Sequence, residues 1–228
     1  TFGKSLEDEA IKVVTAAGGK VVGTARHSLG LADFSSFLLQ AQSTGANVLG
    51  LANAGRDAQN AVMQANEFGL PTGGIRVQPL VLFDTDIRGI GLESAQGLQY
   101  LTGFYWDQND RSRAWSKEFF ALQHAMPTMN QAGGYSATRQ YLAAVEKAGT
   151  LDAEKVRAAL RDMPVDDAFT QGGVIRDNGS LAHPMSLMQV KTPAESKDKW
   201  DIAKVVRTVP GDDAFQPVAT STCKLLKH

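Results

Sequence analysis

Asp84 and Asp86 have the spacing that most resembles a catalytic pair, because both follow the end of a predicted strand. Two neighbouring carboxylates can hold different pKa values and so serve as general acid and general base. Acidic residues directly after a strand more often act as turn residues or helix caps. We therefore favour a capping role. An α/β enzyme stays open as an alternative, and it requires turnover that disappears when either residue is replaced with Asn.

A metal site requires ligating side chains at a suitable spacing, and a cofactor site requires a recognisable binding motif. The four histidines lie far apart, without a His-x-x-x-His pair or a second cysteine to complete a zinc set. Asp107, Asn109 and Asp110 resemble part of a calcium loop, but its Gly and distal Glu are absent, so we interpret this segment as a turn. Dinucleotide, phosphate-loop and nucleophile-elbow motifs are also missing. The sequence thus predicts no metal, no cofactor and no catalytic residues.

The elements that position these residues alternate between helix and strand. Apolar spacing predicts helices over residues 6–17 and 56–68, and a third helix that begins after an N-cap at Asp33. The predicted strands cover residues 20–24, 45–52 and 75–83. This order indicates right-handed crossovers and a mainly parallel sheet with helices on both faces. The predicted fold class is α/β, in three αβα layers.

The later residues continue the pattern with looser spacing. The predicted elements are a strand over 97–104 and helices over 111–125, 135–148 and 153–162. From residue 172 a strand leads into a turn at Asn178-Gly179, because Asn-Gly adopts positive φ at low cost. Residues 185–190 and 202–208 are predicted to pair as strands.

Composition narrows the class of function. The 228 residues are 43% hydrophobic and carry a formal net charge of -1, with basic residues scattered among acidic ones. Nucleic acid is therefore a poor partner. No apolar run approaches the roughly 20 residues that span a bilayer, so stable membrane insertion is not expected. The chain begins at Thr1 with neither an initiator Met nor a basic and apolar leader, and we expect a processed or truncated start.

Five short strings stand out in order along the chain. They are Phe2-Gly3-Lys4-Ser5, Asp33-Phe34-Ser35, Glu93-Ser94-Ala95-Gln96-Gly97-Leu98, Gly134-Tyr135-Ser136-Ala137 and Gln171-Gly172-Gly173-Val174-Ile175-Arg176-Asp177-Asn178-Gly179. Together they resemble the leucine/isoleucine/valine-binding proteins, a family of type I periplasmic solute-binding receptors, over essentially the whole chain. The resemblance implies the type I periplasmic-binding-protein fold, with two Rossmann-like lobes that are joined by three crossovers and close on a ligand.

The resemblance also implies a function. Members of the family are periplasmic, non-catalytic receptors that deliver a small molecule to the permease subunits of an ABC importer. A ligand-sensing domain of a signalling receptor, built on the same fold, is the alternative from a different class. Neighbouring genes for permease and ATPase subunits would favour transport.

The resemblance further suggests how the chain divides. The expected parts are residues 1–104 as the main part of lobe two, 105–168 as the crossover and C-terminal helices of lobe one, 169–190 as strands returning to lobe two, and 191–228 as C-terminal strands and tail. The N-terminal half of lobe one is expected to be absent. In similar proteins a cysteine near the C-terminus pairs with one in that half. Cys223 is then an orphaned half-cystine from an oxidising compartment, and a stray thiol is the alternative.

Three candidate ligand-binding residues come from the first two loops. Phe2 matches a position where the family places a ring against the ligand, although a staple onto the following helix explains it equally well. Asn53 and Ala54 follow a predicted strand, and open α/β sheets bind ligands beyond the carboxyl ends of their strands. Amino-acid binders similar to this chain carry an aromatic side chain near Ala54, so alanine leaves room for a bulkier ligand.

The loop after Pro79 bears on the chemistry of the ligand. Amino-acid-binding relatives carry a carboxylate soon after this proline, which pairs with the ligand ammonium. Here four apolar residues follow instead, and the last of them is Phe83. Asp84 or Asp86 is left as a substitute partner, so an amino-acid ligand stays open.

Aromatic residues favour an aromatic ligand. Phe83 and the string Phe104-Tyr105-Trp106-Asp107 provide faces on which flat rings stack. The string resembles that of family members that bind aromatic carboxylates of the benzoate or hydroxycinnamate type, and packing at the hinge between lobes is the alternative. Arg88 is either a partner for the ligand carboxylate or a solvated helix residue. The predicted ligand-binding residues are Phe2, Asn53, Ala54, Phe83, Asp84 and Tyr105, which complete a cage begun by serine, threonine and backbone amides of the missing lobe.

Overall fold

The computed structural model describes residues 1–221 and residue 226. The helices are α1 (Phe2–Ala16), α2 (Ser35–Ser43), α3 (Gly55–Glu67), α4 (Asp84–Ile90), α5 (Leu92–Ala95), α6 (Asp110–Gln123), α7 (Met129–Ala148), α8 (Ala153–Arg161) and α9 (Gly211–Ala214). The strands are β1 (Val48–Leu51), β2 (Arg76–Pro79), β3 (Gln99–Thr102), β4 (Val174–Ile175), β5 (Leu181–Ala182), β6 (Met185–Val190) and β7 (Ala203–Val209). This mixture of helices and strands confirms the predicted α/β class.

The chain forms two compact units. Unit 1 comprises Thr1–Leu101 and Met188–Lys204, and unit 2 comprises Thr102–Leu187 and Val205–His228. The boundaries fall within β3, β6 and β7, so the chain passes from one unit to the other three times. Residues 169–187 belong to the same unit as residues 102–168. The expected division instead assigned residues 105–168 to lobe one and residues 169–190 to lobe two. The assignment of segments to lobes stays a prediction.

Unit 1 contains a parallel strand pair next to a helix with a small-residue face. β1 and β2 run parallel in a register that pairs Leu51 with Pro79. Four residues of the predicted apolar face of α3 are buried, at Ala58, Ala61, Val62 and Ala65, whereas the fifth, Phe68, is 36% exposed. Small side chains on that face allow the helix to lie close to its neighbours. Both strands lie within the predicted segments, and α3 begins one residue before its predicted start at residue 56.

One predicted strand is wrong. Residues 20–24 carry β-favouring side chains, but the structure gives them no strand, and the described part of the chain pairs β1 with β2 alone. Val21 and Val22 are 40% and 47% exposed. β-propensity yields a strand only where a neighbouring strand supplies hydrogen bonds and a packing surface.

Several helices differ from their predictions, and α1 begins at Phe2 rather than at residue 6. The helix predicted over 135–148 begins six residues earlier, at Met129, because Thr128 and Gln131 form a capping box at its start. α4 was predicted only as a turn or a cap. Asp33 accepts a hydrogen bond from the Ser35 backbone N–H at 2.8 Å, although the N-cap position of α2 is Phe34.

Unit 2 packs helices against each other and ends in short strands. Ala144 of α7 packs with Val156 and Ala159 of α8. β4 and β5 pair antiparallel around the predicted turn, where Gly179 has a φ of 81°. Gly179 of the Asn-Gly pair provides the positive φ without a Cβ clash, so the predicted strand and turn are confirmed. The predicted pairing of the last two strands is confirmed by the neighbouring β6 and β7.

Two further expectations from the sequence concern Cys223 and membrane insertion. Cys223 lies outside the described residues. No helix in the described part of the chain combines the length and hydrophobicity that crossing a bilayer requires.

Candidate ligand-binding site

The carboxyl ends of β1 and β2 lie side by side in unit 1. The Leu80 backbone N–H donates to the Leu51 carbonyl at 3.0 Å, directly where both strands end. The loop with Asn53 and Ala54 leads into α3, and the loop with Phe83 leads into α4. Both loops therefore leave the same edge of the sheet, where α/β proteins bind their ligands. This edge is called the β1–β2 edge below.

The start of α1 approaches the β1–β2 edge. A Cβ placed on Gly3 would lie 2.8 Å from the carbonyl oxygen of Ala52, so only glycine permits this approach of the two backbones. Phe2, the first residue of α1, is 54% exposed. The structure thus places the backbone that carries Phe2 beside the loop that carries Asn53 and Ala54.

Asn53 forms a contact that the sequence did not predict. Its Nδ2 lies 3.3 Å from Nε2 of His27, which belongs to the irregular segment between α1 and α2. The His27 ring packs edge-on against Phe34, with centroids 4.8 Å apart. The amide oxygen of Asn53 is buried and has no hydrogen-bond partner among the described residues.

Asp86 is a structural cap. Its two carboxylate oxygens accept hydrogen bonds from the Phe83 backbone N–H at 3.0 Å and from Nε2 of Gln59 at 2.9 Å. The side chain is buried, at 3% exposure, within the first turn of α4. The preferred interpretation of Asp86 as a capping residue is confirmed, and its contacts link α4 to α3.

Asp84 lies in a different environment. It is the first residue of α4, partly buried, and its Oδ1 accepts a hydrogen bond from the Tyr100 hydroxyl at 2.8 Å. Burial raises the pKa of Asp84 to about 6, and the hydrogen bond from Tyr100 opposes part of the rise. A cation placed near this carboxylate would stabilise its charged form.

Replacing Asp84 with Asn provides a test of this environment. Because the folded-state pKa lies above the unfolded value, the stability contributed by Asp84 is present at acid pH and is lost as the pH rises through about 6. Asn retains an oxygen for the Tyr100 hydroxyl. We therefore expect Asp84→Asn to gain stability relative to wild type between pH 4.5 and pH 7, measured by urea unfolding. A difference that is the same at both pH values would contradict the assigned environment.

Tyr105 and its aromatic neighbours lie in unit 2. Tyr105 is 2% exposed, and its backbone N–H donates to Oε1 of Gln108 at 3.0 Å. Phe104 is fully buried, with its ring edge-on to Trp115 at 5.5 Å. The structure thus places five of the six predicted site residues in unit 1 and Tyr105 in unit 2. The role of each in binding a ligand stays a prediction.

Arg88 has a partner that the sequence did not indicate. Its guanidinium carbon lies 3.9 Å from the centroid of the Trp200 ring, which is a cation–π contact. Within the part of the chain that the structure describes, no group of three or more His, Cys, Asp or Glu side chains is placed to hold a metal ion.

These features define a class of protein. Parallel strands with candidate residues beyond their carboxyl ends, and helices that begin directly after them, are typical of α/β domains that bind small ligands. The chain belongs to the periplasmic binding protein family, whose model matches residues 1–199. The resemblance inferred from the five strings is therefore confirmed.

Solved structures agree with this assignment. A periplasmic binding protein from Burkholderia mallei is 47% identical, with a TM-score of 0.94 over 99% of this chain and 60% of that chain. A branched-chain amino acid ABC transporter periplasmic ligand-binding protein from Burkholderia xenovorans LB400 is 42% identical, with a TM-score of 0.87 over 97% of this chain and 59% of that chain. The type I periplasmic-binding-protein fold is thus confirmed.

A more distant neighbour shares the fold. A solute-binding protein from R. palustris, solved in complex with 4-hydroxybenzoate, is 22% identical, with a TM-score of 0.77 over 90% of this chain and 56% of that chain. This chain therefore spans about 60% of the length of the solved relatives that it matches best among those described. No curated protein sequence matches it significantly.

Proposed function

We propose that this protein is the periplasmic solute-binding receptor of an ABC importer and that its ligand is an aromatic carboxylate. Membership of the periplasmic binding protein family supports the receptor role. The 42% identical protein from Burkholderia xenovorans, which belongs to an ABC transporter, supports the importer. No covalent chemistry is required of such a receptor, because binding alone stabilises its liganded conformation.

The apolar character of the β1–β2 edge is the observation that supports an aromatic ligand. Leu80, Val81 and Phe83 are all partly exposed in the loop that leaves β2. Ala54 presents only a methyl group in the neighbouring loop, at the N-cap of α3. A flat ring buries apolar surface against such a lining, at about 25 cal/mol for each Å² removed from water. The R. palustris protein shows that this fold accepts a hydroxylated benzoate.

An amino acid is the second candidate ligand. Asp84 is a partly buried carboxylate at the same edge, and burial raises its pKa to about 6. An ammonium group beside it would offset the cost of burying its charge. The relative from Burkholderia xenovorans is named for branched-chain amino acids, which agrees with this candidate.

Thermal shift distinguishes the two ligands. The protein, expressed from its complete coding sequence, is heated with benzoate, 4-hydroxybenzoate and hydroxycinnamate, and separately with leucine, isoleucine and valine. A ligand at 100 times its Kd stabilises the folded state by about 2.7 kcal/mol. We expect a raised Tm with at least one aromatic acid and none with the amino acids.

Two matched tryptophan substitutions serve as controls. Ala54→Trp places a large ring at the proposed site and is expected to abolish the response to aromatic acids. Ala121→Trp makes the same change at an exposed position of α6 and is expected to leave the response intact. A response to amino acids that is lost in Asp84→Asn would support the second candidate, and no response to either class would refute both.

A further inference from the structure

The hydrogen bond of His27 to its own segment determines which ring nitrogen carries the proton. Nδ1 lies 2.9 Å from the carbonyl oxygen of Ser28, and a carbonyl oxygen only accepts hydrogen bonds. Nδ1 is therefore the donor. In a neutral imidazole the other nitrogen then has a lone pair and no proton, so Nε2 of His27 is an acceptor.

The acceptor on His27 in turn determines the orientation of Asn53. The side-chain NH2 group of Asn53 is the half of the amide that can donate, and it is the half that lies 3.3 Å from Nε2. The amide oxygen of Asn53 must then point away from His27. A flipped amide would place two acceptors against each other, so the contact selects one of the two orientations.

The oxygen that results lacks a partner. Oδ1 of Asn53 is buried and accepts no hydrogen bond from the described residues. A buried acceptor without a donor is unfavourable, because it has lost its hydrogen bonds to water and gained none in the protein. Asn53 lies at the β1–β2 edge, two residues after the end of β1. An unpaired acceptor at the proposed binding edge is available to a donor on the ligand.

We infer that His27 holds the amide of Asn53 so that its oxygen accepts a hydrogen bond from the phenolic hydroxyl of a hydroxylated aromatic acid. The inference rests on the proposed function, and it narrows the ligand class to acids with a ring hydroxyl. His27 is a positioning residue, and Asn53 is the residue that contacts the ligand. The ligand carboxylate is then bound by groups outside unit 1, in agreement with the serine, threonine and backbone-amide cage that the family resemblance implies.

A hydroxyl suits this acceptor better than an ammonium. The amide of Asn53 is neutral, and an ammonium at a buried site needs an ionised partner to offset the loss of its hydration. A phenolic hydroxyl needs only one acceptor, and its ring can lie on the apolar lining at Leu80, Val81 and Phe83. Because Oδ1 is covered by protein atoms, binding requires a local movement of the β1–β2 edge that admits the hydroxyl.

The experiment compares ligands that differ only in the hydrogen-bond donor. Calorimetric titration of the protein, expressed from its complete coding sequence, uses 4-hydroxybenzoate against 4-fluorobenzoate and 4-hydroxycinnamate against 4-fluorocinnamate. Fluorine is similar in size to a hydroxyl group but cannot donate. We expect wild type to prefer the better-bound hydroxy acid over its fluoro partner by about tenfold, as for one hydrogen bond to a buried acceptor.

Three variants separate positioning from simple packing. Asn53→Leu is expected to bring the hydroxy-to-fluoro preference close to one. His27→Leu keeps an apolar side chain against Phe34 but frees the amide, and is expected to reduce the preference to about two- to threefold. His27→Gln supplies a side-chain oxygen that can accept from the Asn53 NH2 group, and is expected to restore most of the preference.

The outcomes distinguish this inference from the proposed function. If the aromatic acids bind but the preference survives in Asn53→Leu, or if His27→Leu and His27→Gln behave alike, only the inference is wrong. The same holds if wild type binds hydroxy and fluoro acids equally. If no aromatic acid binds wild type, the proposed ligand class and the inference both fail.

Discussion

Phe104→Ala is expected to lower the free energy of unfolding of unit 2 by about 3–5 kcal/mol, the usual range for removal of a buried aromatic side chain. The Phe104 side chain is fully buried and meets the ring of Trp115 edge-on. Trp115 also contacts Phe119 and Tyr135, with centroids 5.6 and 5.0 Å apart. Loss of the Phe104 ring therefore leaves a cavity beside an aromatic cluster that joins α6 to α7. Urea unfolding, followed by tryptophan fluorescence without ligand, measures the loss.

The result bears on the meaning of the aromatic string at 104–106. If these rings serve only to stack on a ligand, removal of Phe104 costs little stability in the ligand-free protein. Leu122→Ala is the matched control, because Leu122 lies on α6 with 78% of its surface exposed. We expect that control to change stability by less than about 0.5 kcal/mol. Equal effects of the two substitutions would contradict the packing role of Phe104.

Elements with local signals were predictable from the sequence. The helical spacing of small apolar residues in α3 predicts that helix to within a few residues. The Asn-Gly pair likewise predicts the turn between β4 and β5. The start of α7 was missed although Thr128 and Gln131 have the spacing of a capping box, because Gly133 and Gly134 weaken the helical pattern. That signal was present in the sequence and would have corrected the boundary.

Elements that depend on distant partners were not predictable. Residues 20–24 have strand propensity, but whether they form a strand depends on a neighbour elsewhere in the chain. The stacking of Arg88 on Trp200 joins residues far apart in sequence, and no local sequence pattern predicts it.

The candidate site likewise combines features that local sequence predicts with features that depend on distant residues. The rule that ligands bind beyond the carboxyl ends of parallel strands pointed to Asn53 and Ala54, and the structure places Phe83 at the same sheet edge. The contact of Asn53 with His27 spans 26 residues and involves a segment without regular structure. Its position follows from tertiary packing against Phe34, which the sequence pattern does not encode. Sequence reasoning therefore finds the loops of this site, whereas the orientation of their polar groups needs the structure.

Asp201→Ala is expected to destabilise unit 1 by about 3–5 kcal/mol, because it leaves a buried ammonium without a partner. Asp201 forms an ion pair with Lys191, and the two side chains are only 6% and 16% exposed. Its second oxygen accepts from the Lys197 backbone N–H at 3.0 Å, which holds the loop between β6 and β7. Trp200, the neighbour of Asp201, lies against Arg88 of α4. The loss is therefore expected to reach the helix that carries Asp84, and hydrogen exchange of amides in α3 and α4 measures it.

A double substitution separates the ion pair from the lost packing. Lys191→Met with Asp201→Asn removes both charges while Asn keeps an oxygen for the Lys197 backbone N–H. We expect this variant to be close to wild type in stability, because no buried charge is left unpaired. The exposed pair of Lys4 and Asp8, 58% and 46% exposed, is the matched control. Asp8→Ala is expected to have only a small effect on stability, since solvent screens that pair. If Asp201→Ala costs no more than Asp8→Ala, or if the double variant is as unstable as Asp201→Ala, then the buried charge is not what makes Asp201 important to unit 1.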